Sequence, residues 1–307
     1  MAELCGYLNI YKPRGMTSHD VVFKARKILG TKKIGHTGTL DPNAQGVLVL
    51  CVGRATKMVQ YLSDLDKCYE AEILFGRATD TCDVTGTAIA EGSTAGVTAE
   101  ALEKTLNTFT GESLQVPPIY SALKVGGRKL YEYARAGETV EIAPRPVFIS
   151  EILATETAYL PDKAQFRVVC SKGTYIRSLC RDIGEKMGVP ACMGDLWRRR
   201  VGAFEMDAAL TLEALAQIAE TGGLATVMQP VHYGLDHFAR VDANARGCRF
   251  VRNGNALYPW NVEGDFSKLT EGELVRLYAE QQFIGMGKFV NGADGEDPCV
   301  KPVKLLV

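Results

Sequence analysis

Asp41 is the carboxylate in this chain that is best placed for chemistry. It lies between the glycine- and threonine-rich stretch GHTGT and the apolar run GVLVLCVG, so a loop brings it to the start of a buried strand. Because Pro42 follows it, an ordinary turn also explains the acid, and both interpretations stay open at this point. A functional carboxylate here would act as a nucleophile or as a general base.

A candidate partner for this carboxylate is Arg177, which is far away in the sequence. The stretch KGTYIRSLCRDIGE predicts a helix over 175–187 with Thr174 as its N-cap, which puts Arg177 in the first turn. The helix dipole opposes a cation at that end, so we expect an anion nearby, either a carboxylate or a phosphate. An exposed arginine that tolerates the small penalty is the alternative interpretation.

Tyrosines and arginines supply further candidates for a nucleic-acid site. Tyr69, in the alternating stretch KCYEAEILFG, competes with Tyr175 and other tyrosines for a role in the site, and packing in the core or on the surface is the alternative for each of them. In LWRRRVGAF, three consecutive arginines beginning with Arg198 would alternate between the two faces of a strand, so at most two share a groove. A solvated edge strand and contact with an RNA backbone both remain open.

The sequence motifs of several common enzyme classes are absent from this chain. There is no P-loop, no G-x-G-x-x-G after a predicted strand, no H-E-x-x-H and no G-x-S-x-G. The four histidines are not in metal-ligand spacing, and the nine cysteines include no C-x-x-C pair. We therefore expect a reaction that uses one carboxylate and neither a cofactor nor a metal.

The elements that must position these residues can be predicted along the chain. A capping box of Thr17 and Asp20 opens a helix that Gly30 ends, between a strand over GYLNIYK and the buried strand GVLVLCVG. Further helices are expected over 98–108 and 212–220, and further strands near 147–159, 164–171 and 192–201. Because strands and helices do not alternate regularly, we expect an α+β fold in which helices flank a mixed, mostly antiparallel central sheet.

Composition divides the chain into a long first part and a short second part. Residues 110–147 are rich in proline and glycine and predict an irregular segment with one short helix. Beyond a change near 222–237, the strand-like pieces GCRFVRNGNALY, GELVRLYAEQQFIGMGKFV and CVKPVKLLV predict a small all-β module. We therefore expect a catalytic domain over 1–235 and a second domain over 236–307.

Charge is unevenly distributed along the chain although the net charge is −1. Residues 1–60 hold nine Lys and Arg against three acids and 172–200 hold seven against three, whereas 61–120 hold three against ten. A basic face for phosphate contact is one interpretation, and mixing of the charges on the surface is the other. No secretion signal or membrane-spanning run is visible, and the scattered cysteines predict free thiols in the cytoplasm.

Six sequence blocks, taken in order, closely resemble the TruB family of tRNA pseudouridine-55 synthases. They are NIYKPRGMTSHDVV, GHTGTLDPNAQGVLVLCVGRATK, DKCYEAEILFGRATDTCDVTG, VPPIYSALKVGGRKLYEYARAGE, KGTYIRSLCRDIGE and LWRRRVGAF. The resemblance covers residues 5–215. It implies a pseudouridine synthase fold and isomerisation of uridine to pseudouridine at position 55 in the tRNA T-loop. VRNGNALY and VKPVKLL resemble, more weakly, a PUA domain, which is a small RNA-binding β-barrel.

The resemblance also implies roles for individual residues. Asp41 matches the essential aspartate, Tyr69 the tyrosine that stacks on the target base, and Arg177 the arginine that pairs with the aspartate. The expected substrate-binding residues are His36, Leu196, Lys12, Tyr175 and Arg198. Among them His36 matches a histidine that helps to hold the flipped nucleotide, and Leu196 matches an apolar residue of the uracil pocket.

The implied partner is the T-stem-loop of tRNA, bound by a monomer, with residues 110–147 as a mobile loop that closes on the RNA. Two other functions fit the same resemblance. One is a non-catalytic tRNA-binding chaperone that keeps the fold. The other is a guide-RNA-dependent pseudouridine synthase that works inside a multiprotein particle.

Overall fold

The computed structural model describes residues 4–292 and 297–306. The strands in these ranges are β1 (Gly6–Lys12), β2 (Ile34–His36), β3 (Gln45–Val52), β4 (Lys67–Phe75), β5 (Arg77–Thr79), β6 (Ala88–Glu91), β7 (Gly111–Gln115), β8 (Lys124–Val125), β9 (Arg128–Lys129), β10 (Arg145–Glu156), β11 (Lys163–Cys170), β12 (Ala191–Val201), β13 (Phe204–Glu205), β14 (Ala239–Ala243), β15 (Val262–Glu263), β16 (Leu274–Ala279), β17 (Gln282–Val290) and β18 (Cys299–Leu305). The α-helices are α1 (Ser18–Leu29), α2 (Val59–Ser63), α3 (Ala99–Asn107), α4 (Leu130–Ala136), α5 (Ile176–Met187), α6 (Leu212–Glu220), α7 (Leu224–Val227) and α8 (Ala245–Arg252). Short 3₁₀ helices cover Gly53–Met58, Met206–Ala208 and Pro259–Asn261.

A nine-stranded sheet forms the centre of the first part of the chain. Its order is β1-β3-β12-β4-β11-β10-β7, with β2 beside β3 and β13 beside β12. The pairs are antiparallel except for β3 and β12, which run parallel with Trp197 opposite Gln45 and Arg198 opposite Gly46. This sheet with its flanking helices confirms the predicted α+β class.

The parallel contact between β3 and β12 decides where the Asp41 loop lies. Parallel strands keep the same direction, so the residues that precede Gln45 lie beside those that precede Trp197. The loop that carries Asp41 therefore meets the middle of β12, close to Leu196.

The helices pack against the sheet through their apolar faces. The predicted capping box of α1 is present, because the Thr17 hydroxyl accepts from the Asp20 amide at 3.0 Å and the Asp20 carboxylate accepts from the Thr17 amide at 2.9 Å. Gly30 ends the helix with φ 62°. One core packs α1 and α6 against β1 and β3, and another packs α3 and α5 against β4, β10 and β11.

The segment 110–147 contains more regular structure than the sequence predicts. The short helix is present as α4, but β7 also joins the edge of the large sheet by pairing with β10, and β8 and β9 form a hairpin. A half-buried strand is recognised in a sequence by apolar and polar residues that alternate. The sequence GESLQ of β7 lacks this alternation, because its three central residues are all exposed.

The last part of the chain forms a five-stranded sheet in the order β15-β14-β16-β17-β18. Within the described residues the two edge strands of this order do not pair with each other, so the sheet is open. The all-β prediction is wrong at GCRFVR, which lies in helix α8. The Asn244 side chain caps this helix by accepting from the Gly247 amide at 2.9 Å, a local signal that competes with strand formation.

The last described residues pack against the first part of the chain. Arg54 donates to the Leu306 carbonyl at 2.7 Å, and Lys57 donates to the Leu305 carbonyl at 2.7 Å. Leu306 also shares an apolar cluster with Tyr61 beneath the large sheet. Among the described residues, no helix has both the length and the apolar character needed to cross a membrane.

Candidate active site

Asp41 and Arg177 meet although 136 positions separate them in the chain. The Arg177 Nε donates to Asp41 Oδ2 at 2.9 Å and its Nη2 donates to Oδ1 at 3.3 Å, so the guanidinium fork holds both carboxylate oxygens. The Arg177 side chain is 7% exposed, whereas the Asp41 side chain is 38% exposed. The arginine therefore forms a buried support, and the carboxylate remains accessible from the cavity.

Helix α5 delivers Arg177 in its first turn, as predicted, but the predicted cap is wrong. The N-cap position is Tyr175, which makes no side-chain capping bond, and the Thr174 hydroxyl instead donates to the Ser171 carbonyl at 3.0 Å. The Gln115 side chain compensates, because its oxygen accepts from the Tyr175 amide at 2.8 Å and its amide donates to the Tyr175 carbonyl at 3.1 Å. A residue from β7 thus fixes the start of this helix.

The remaining donors of Arg177 fix two other chain segments. Its Nη1 donates to the Thr81 carbonyl at 3.1 Å and its Nη2 to the Tyr120 carbonyl at 2.9 Å. A second carboxylate, that of Asp83, lies 3.8 Å from the arginine Nε. One guanidinium therefore joins the Asp41 loop to the stretch after β5 and to the segment after β7.

Lys12 and Arg198 hold the loop that carries Asp41 from behind. The fully buried Lys12 ammonium donates to the carbonyls of Pro13, Pro42 and Ala44 at 2.7–3.1 Å. The Arg198 guanidinium, also buried, donates to the carbonyls of three residues of the loop and of β3, Gly38, Thr39 and Val47. Because most of their N–H donors bond to backbone carbonyls of the protein, both cations hold the Asp41 loop in position.

Burial shifts the pKa values of several groups around this loop. Burial lowers the pKa of Lys12 to about 8, against a partly offsetting effect of the Asp41 charge. Burial raises the pKa of Tyr69, and the Arg198 guanidinium opposes that shift. The pKa of His36 is lowered, first by burial and then by the Arg198 and His19 charges.

A cavity of about 590 Å³ opens beside the Asp41–Arg177 pair. The predicted site residues that line it are Asp41, Tyr69, Arg177, Leu196, Tyr175 and Arg198. Tyr69 and Arg198 lie directly opposite each other on β4 and β12, and Leu196 lies two positions before Arg198 on β12. The remaining walls come from the loop before β3, from the segment after β7 and from the turn before α5.

Two of the predicted site residues do not line this cavity. Lys12 lies behind the Asp41 loop, as its carbonyl contacts show. His36 lines a neighbouring hollow of about 260 Å³ together with His19, and that hollow shares Thr39, Leu40 and Asp41 with the cavity. The histidine and Tyr69 therefore line two different hollows that meet at the Asp41 loop.

The sequence did not point to several residues that complete the site. The Thr81 and Tyr120 contributions are backbone carbonyls, which no residue type reveals. Lys67 lines the cavity and is buried, and burial lowers its pKa to about 8. Residues two positions apart on a strand point to the same face, so Lys67 lies on the same face of β4 as Tyr69. This two-residue spacing could have identified Lys67 from the sequence.

The arrangement supports chemistry by a single carboxylate. Asp41 is accessible, its two oxygens are oriented by a buried fork, and an aromatic ring and an apolar side chain line the same space. A flat, partly apolar ring with a polar edge fits these walls. Among the described residues, no group of three or more metal-ligating side chains occurs.

Solved structures first define the class of this fold. The chain resembles a chain of a Cbf5-Nop10-Gar1 complex with a TM-score of 0.77 and 28% identity, over 98% of this chain and 85% of that one. It resembles a chain of the archaeal box H/ACA sRNP Nop10-Cbf5 complex with a TM-score of 0.76 and 25% identity, over 98% and 86%. The molecule thus has a pseudouridine synthase fold.

Sequence profiles then identify the family. The N-terminal domain of the TruB family pseudouridylate synthases matches residues 26–176, and the tRNA pseudouridylate synthase B C-terminal domain matches residues 177–236. The chain belongs to the TruB family. The tRNA pseudouridine synthase B of Bacillus subtilis (strain 168) is 44% identical over 306 residues, covering 98% of this chain and 97% of that protein. That of Bacillus licheniformis is 45% identical over 279 residues, covering 90% and 89%.

Proposed function

We propose that this protein converts uridine to pseudouridine at position 55 in the T-loop of tRNA. The observation that carries the proposal is the Asp41–Arg177 pair, which places an accessible, doubly held carboxylate in a cavity that an aromatic ring also lines. Relatives of similar length bear the name tRNA pseudouridine synthase B, and family membership supports the same reaction here.

The reaction needs no oxidant, reductant or energy source, because substrate and product are isomers. The bond between C1′ of the ribose and N1 of uracil breaks, the ring turns, and C5 forms a new bond to C1′. The proton on C5 is lost and N1 gains one. Asp41 acts either as the nucleophile on the nucleoside or as the base that removes a proton. Arg177 fixes the carboxylate for either step, and we propose that the reaction uses neither a cofactor nor a metal.

The target base must leave its stack before it reaches Asp41, which costs a few kcal/mol. Stacking on the Tyr69 ring offsets this cost, since base–aromatic stacking contributes roughly 1–3 kcal/mol. Leu196 packs against the apolar face, while Tyr175 and Arg198 complete the walls. His36 acts from the neighbouring hollow, where it supports the RNA around the flipped nucleotide.

Segment 110–147 serves as the mobile RNA-binding part of the catalytic domain. Its outer half carries a cluster of cations on aromatic rings, with Arg128 over Tyr133 at 4.3 Å and Arg135 over Tyr131 at 5.3 Å. Such pairs offer both phosphate contact and stacking to a hairpin. Its inner half bonds to Arg177 through Tyr120, so closure on RNA would be coupled to the catalytic pair.

The catalytic domain covers 1–235 and the C-terminal sheet belongs to a PUA-like RNA-binding domain over 236–307. Support for this module comes from its own apolar core and from helix α8, whose outward positions include Arg246 and Arg249. The protein acts as a monomer in the cytoplasm, where it meets tRNA.

Two other functions were left open by the sequence. A guide-dependent enzyme is disfavoured because identity to the tRNA enzymes, 44–45%, exceeds identity to the H/ACA proteins, 25–28%. A binding protein without catalysis is disfavoured by the intact carboxylate–guanidinium pair. Tritium release or mass shift of a bare T-stem-loop transcript, treated with the purified chain alone, distinguishes all three.

The key variant is Asp41→Asn, which keeps the size of the side chain and removes its charge. We expect pseudouridine formation to stop while tRNA affinity is retained. Asp207→Asn is the matched control, because this exposed aspartate lies on a 3₁₀ helix outside the cavity. If Asp41→Asn modifies the transcript at the parental rate, the proposed role of Asp41 is wrong.

A further inference from the structure

Two buried hydroxyl groups beside the catalytic pair have no hydrogen-bond partner. They belong to Thr37, which is 2% exposed, and to Ser121, which is 5% exposed. Both residues line the cavity that contains Asp41. Buried polar groups in folded proteins are almost always bonded, so each exception needs a physical explanation.

Three other Ser and Thr hydroxyls that line the cavity do have hydrogen-bond partners within the protein. Ser63 donates to the Val59 carbonyl at 2.8 Å, and Thr174 donates to the Ser171 carbonyl at 3.0 Å. The Ser171 hydroxyl accepts from the Phe148 amide at 2.9 Å. The protein therefore satisfies hydroxyls in this cavity where its own backbone is within reach.

The backbones of Thr37 and Ser121 are firmly placed on two different walls. The Thr37 amide donates to the Val49 carbonyl at 3.2 Å, which ties the start of the Asp41 loop to β3. The Ser121 carbonyl accepts from the Tyr131 amide at 3.1 Å, and the preceding carbonyl, of Tyr120, accepts from Arg177. Each residue therefore has a backbone hydrogen bond that anchors it, whereas its side-chain hydroxyl has no partner.

We propose that the hydroxyls of Thr37 and Ser121 bind the nucleoside that enters the cavity, through its polar atoms. These atoms are the ribose hydroxyls and the carbonyl and imide groups of uracil, all of which pair with a group that can both donate and accept. In the free protein both oxygens are shielded from solvent. Because each oxygen is attached to Cβ, rotation about χ1 turns it towards the cavity that the residue lines.

This inference rests on the proposed function and predicts opposite effects on stability and activity. Removing an unpartnered buried hydroxyl removes its desolvation cost, so Ser121→Ala and Thr37→Val should melt at the parental temperature or above it. On a T-stem-loop transcript, each variant should lose about 3- to 10-fold in kcat/KM, the effect of one neutral hydrogen bond. A purely structural role would instead lower the melting temperature.

Thr105→Val is the matched control for removal of a hydroxyl. The Thr105 hydroxyl donates to the Ala101 carbonyl at 2.8 Å within α3, outside the cavity. We expect this variant to keep parental kcat/KM and to gain no stability. The comparison separates loss of a substrate contact from a general effect of removing a hydroxyl.

Binding of two transcripts, with uridine or 2′-deoxyuridine at the target, identifies the atoms that are bound. If a hydroxyl contacts the ribose 2′-OH, the loss of affinity in its variant disappears with the deoxy transcript. If it contacts the base, the loss is the same with both. Either result supports the inference, and retention of parental Kd and kcat/KM by both variants overturns it. A parental chain that forms no pseudouridine contradicts the proposed function instead, and the affinity comparison still tests the two hydroxyls.

Discussion

Arg177→Lys tests whether the shape of the guanidinium, and not only its charge, makes the site work. The arginine makes two bonds to Asp41 and one each to the carbonyls of Thr81 and Tyr120, all from a side chain that is 7% exposed. Lysine keeps the positive charge but offers a single nitrogen, which cannot occupy the separate positions from which the Arg177 Nε, Nη1 and Nη2 donate.

The size of the effect follows from the bonds that lysine cannot make. Losing two or three buried hydrogen bonds at about 1 kcal/mol each lowers the free energy of unfolding by roughly 2–3 kcal/mol. With an unfolding entropy of roughly 2.1 cal/mol/K per residue, we expect the melting temperature of this 307-residue chain to fall by about 1.5 °C per kcal/mol. Asp41 would also lose its fixed orientation, and a displacement of about 1 Å at a reacting group costs roughly 100-fold in rate.

Single-turnover pseudouridine formation on a T-stem-loop transcript measures the chemical step, and thermal melting measures stability. Arg181→Lys is the control, because Arg181 lies one turn further along α5, pairs with Asp182 and does not line the catalytic cavity. Affinity for the transcript should change little in either variant. If Arg177→Lys keeps a rate within about threefold of the parent, the argument that the bidentate fork orients Asp41 is refuted.

Two further predictions concern the residues around the pair. Lys12→Met removes three buried hydrogen bonds to carbonyls, although the Pro42 carbonyl still accepts from the Gly15 amide, and should destabilise the protein by about 2–3 kcal/mol at neutral pH. Because burial lowers the pKa of Lys12 from 10.5 to about 8, the unfolded parent binds more protons between these values. The stability gap between parent and variant should therefore widen from pH 8 to 10.5, by at most about 1.4 kcal/mol per pH unit, in urea titrations; a gap that narrows would contradict this. Tyr69→Leu removes the stacking surface and should lose about 1–3 kcal/mol of transition-state binding in kcat/KM, whereas Tyr69→Phe should lose less; equal losses would show that the hydroxyl is the essential part.

Local signals in the sequence were sufficient for most elements around the site. The capping box of Thr17 and Asp20 and the terminal Gly30 defined α1, because caps depend on residues within one turn. Alternation in β4 placed Tyr69 on a buried face, and Arg177 was predicted to need an anion because the helix dipole is a local property. Where two local signals compete, prediction failed, as at Thr174 and at helix α8.

The sequence by itself determined the α+β class, the position of α1 and α5, and the residue types Asp41 and Arg177 with their family resemblance. Only the tertiary structure decided that these two side chains form one bidentate pair, since 136 positions separate them. It also decided that the carbonyls of Thr81 and Tyr120 complete the arginine's contacts. The physical reason is that these interactions arise where a parallel strand pair and three distant loops meet, and no short stretch of sequence encodes such a meeting.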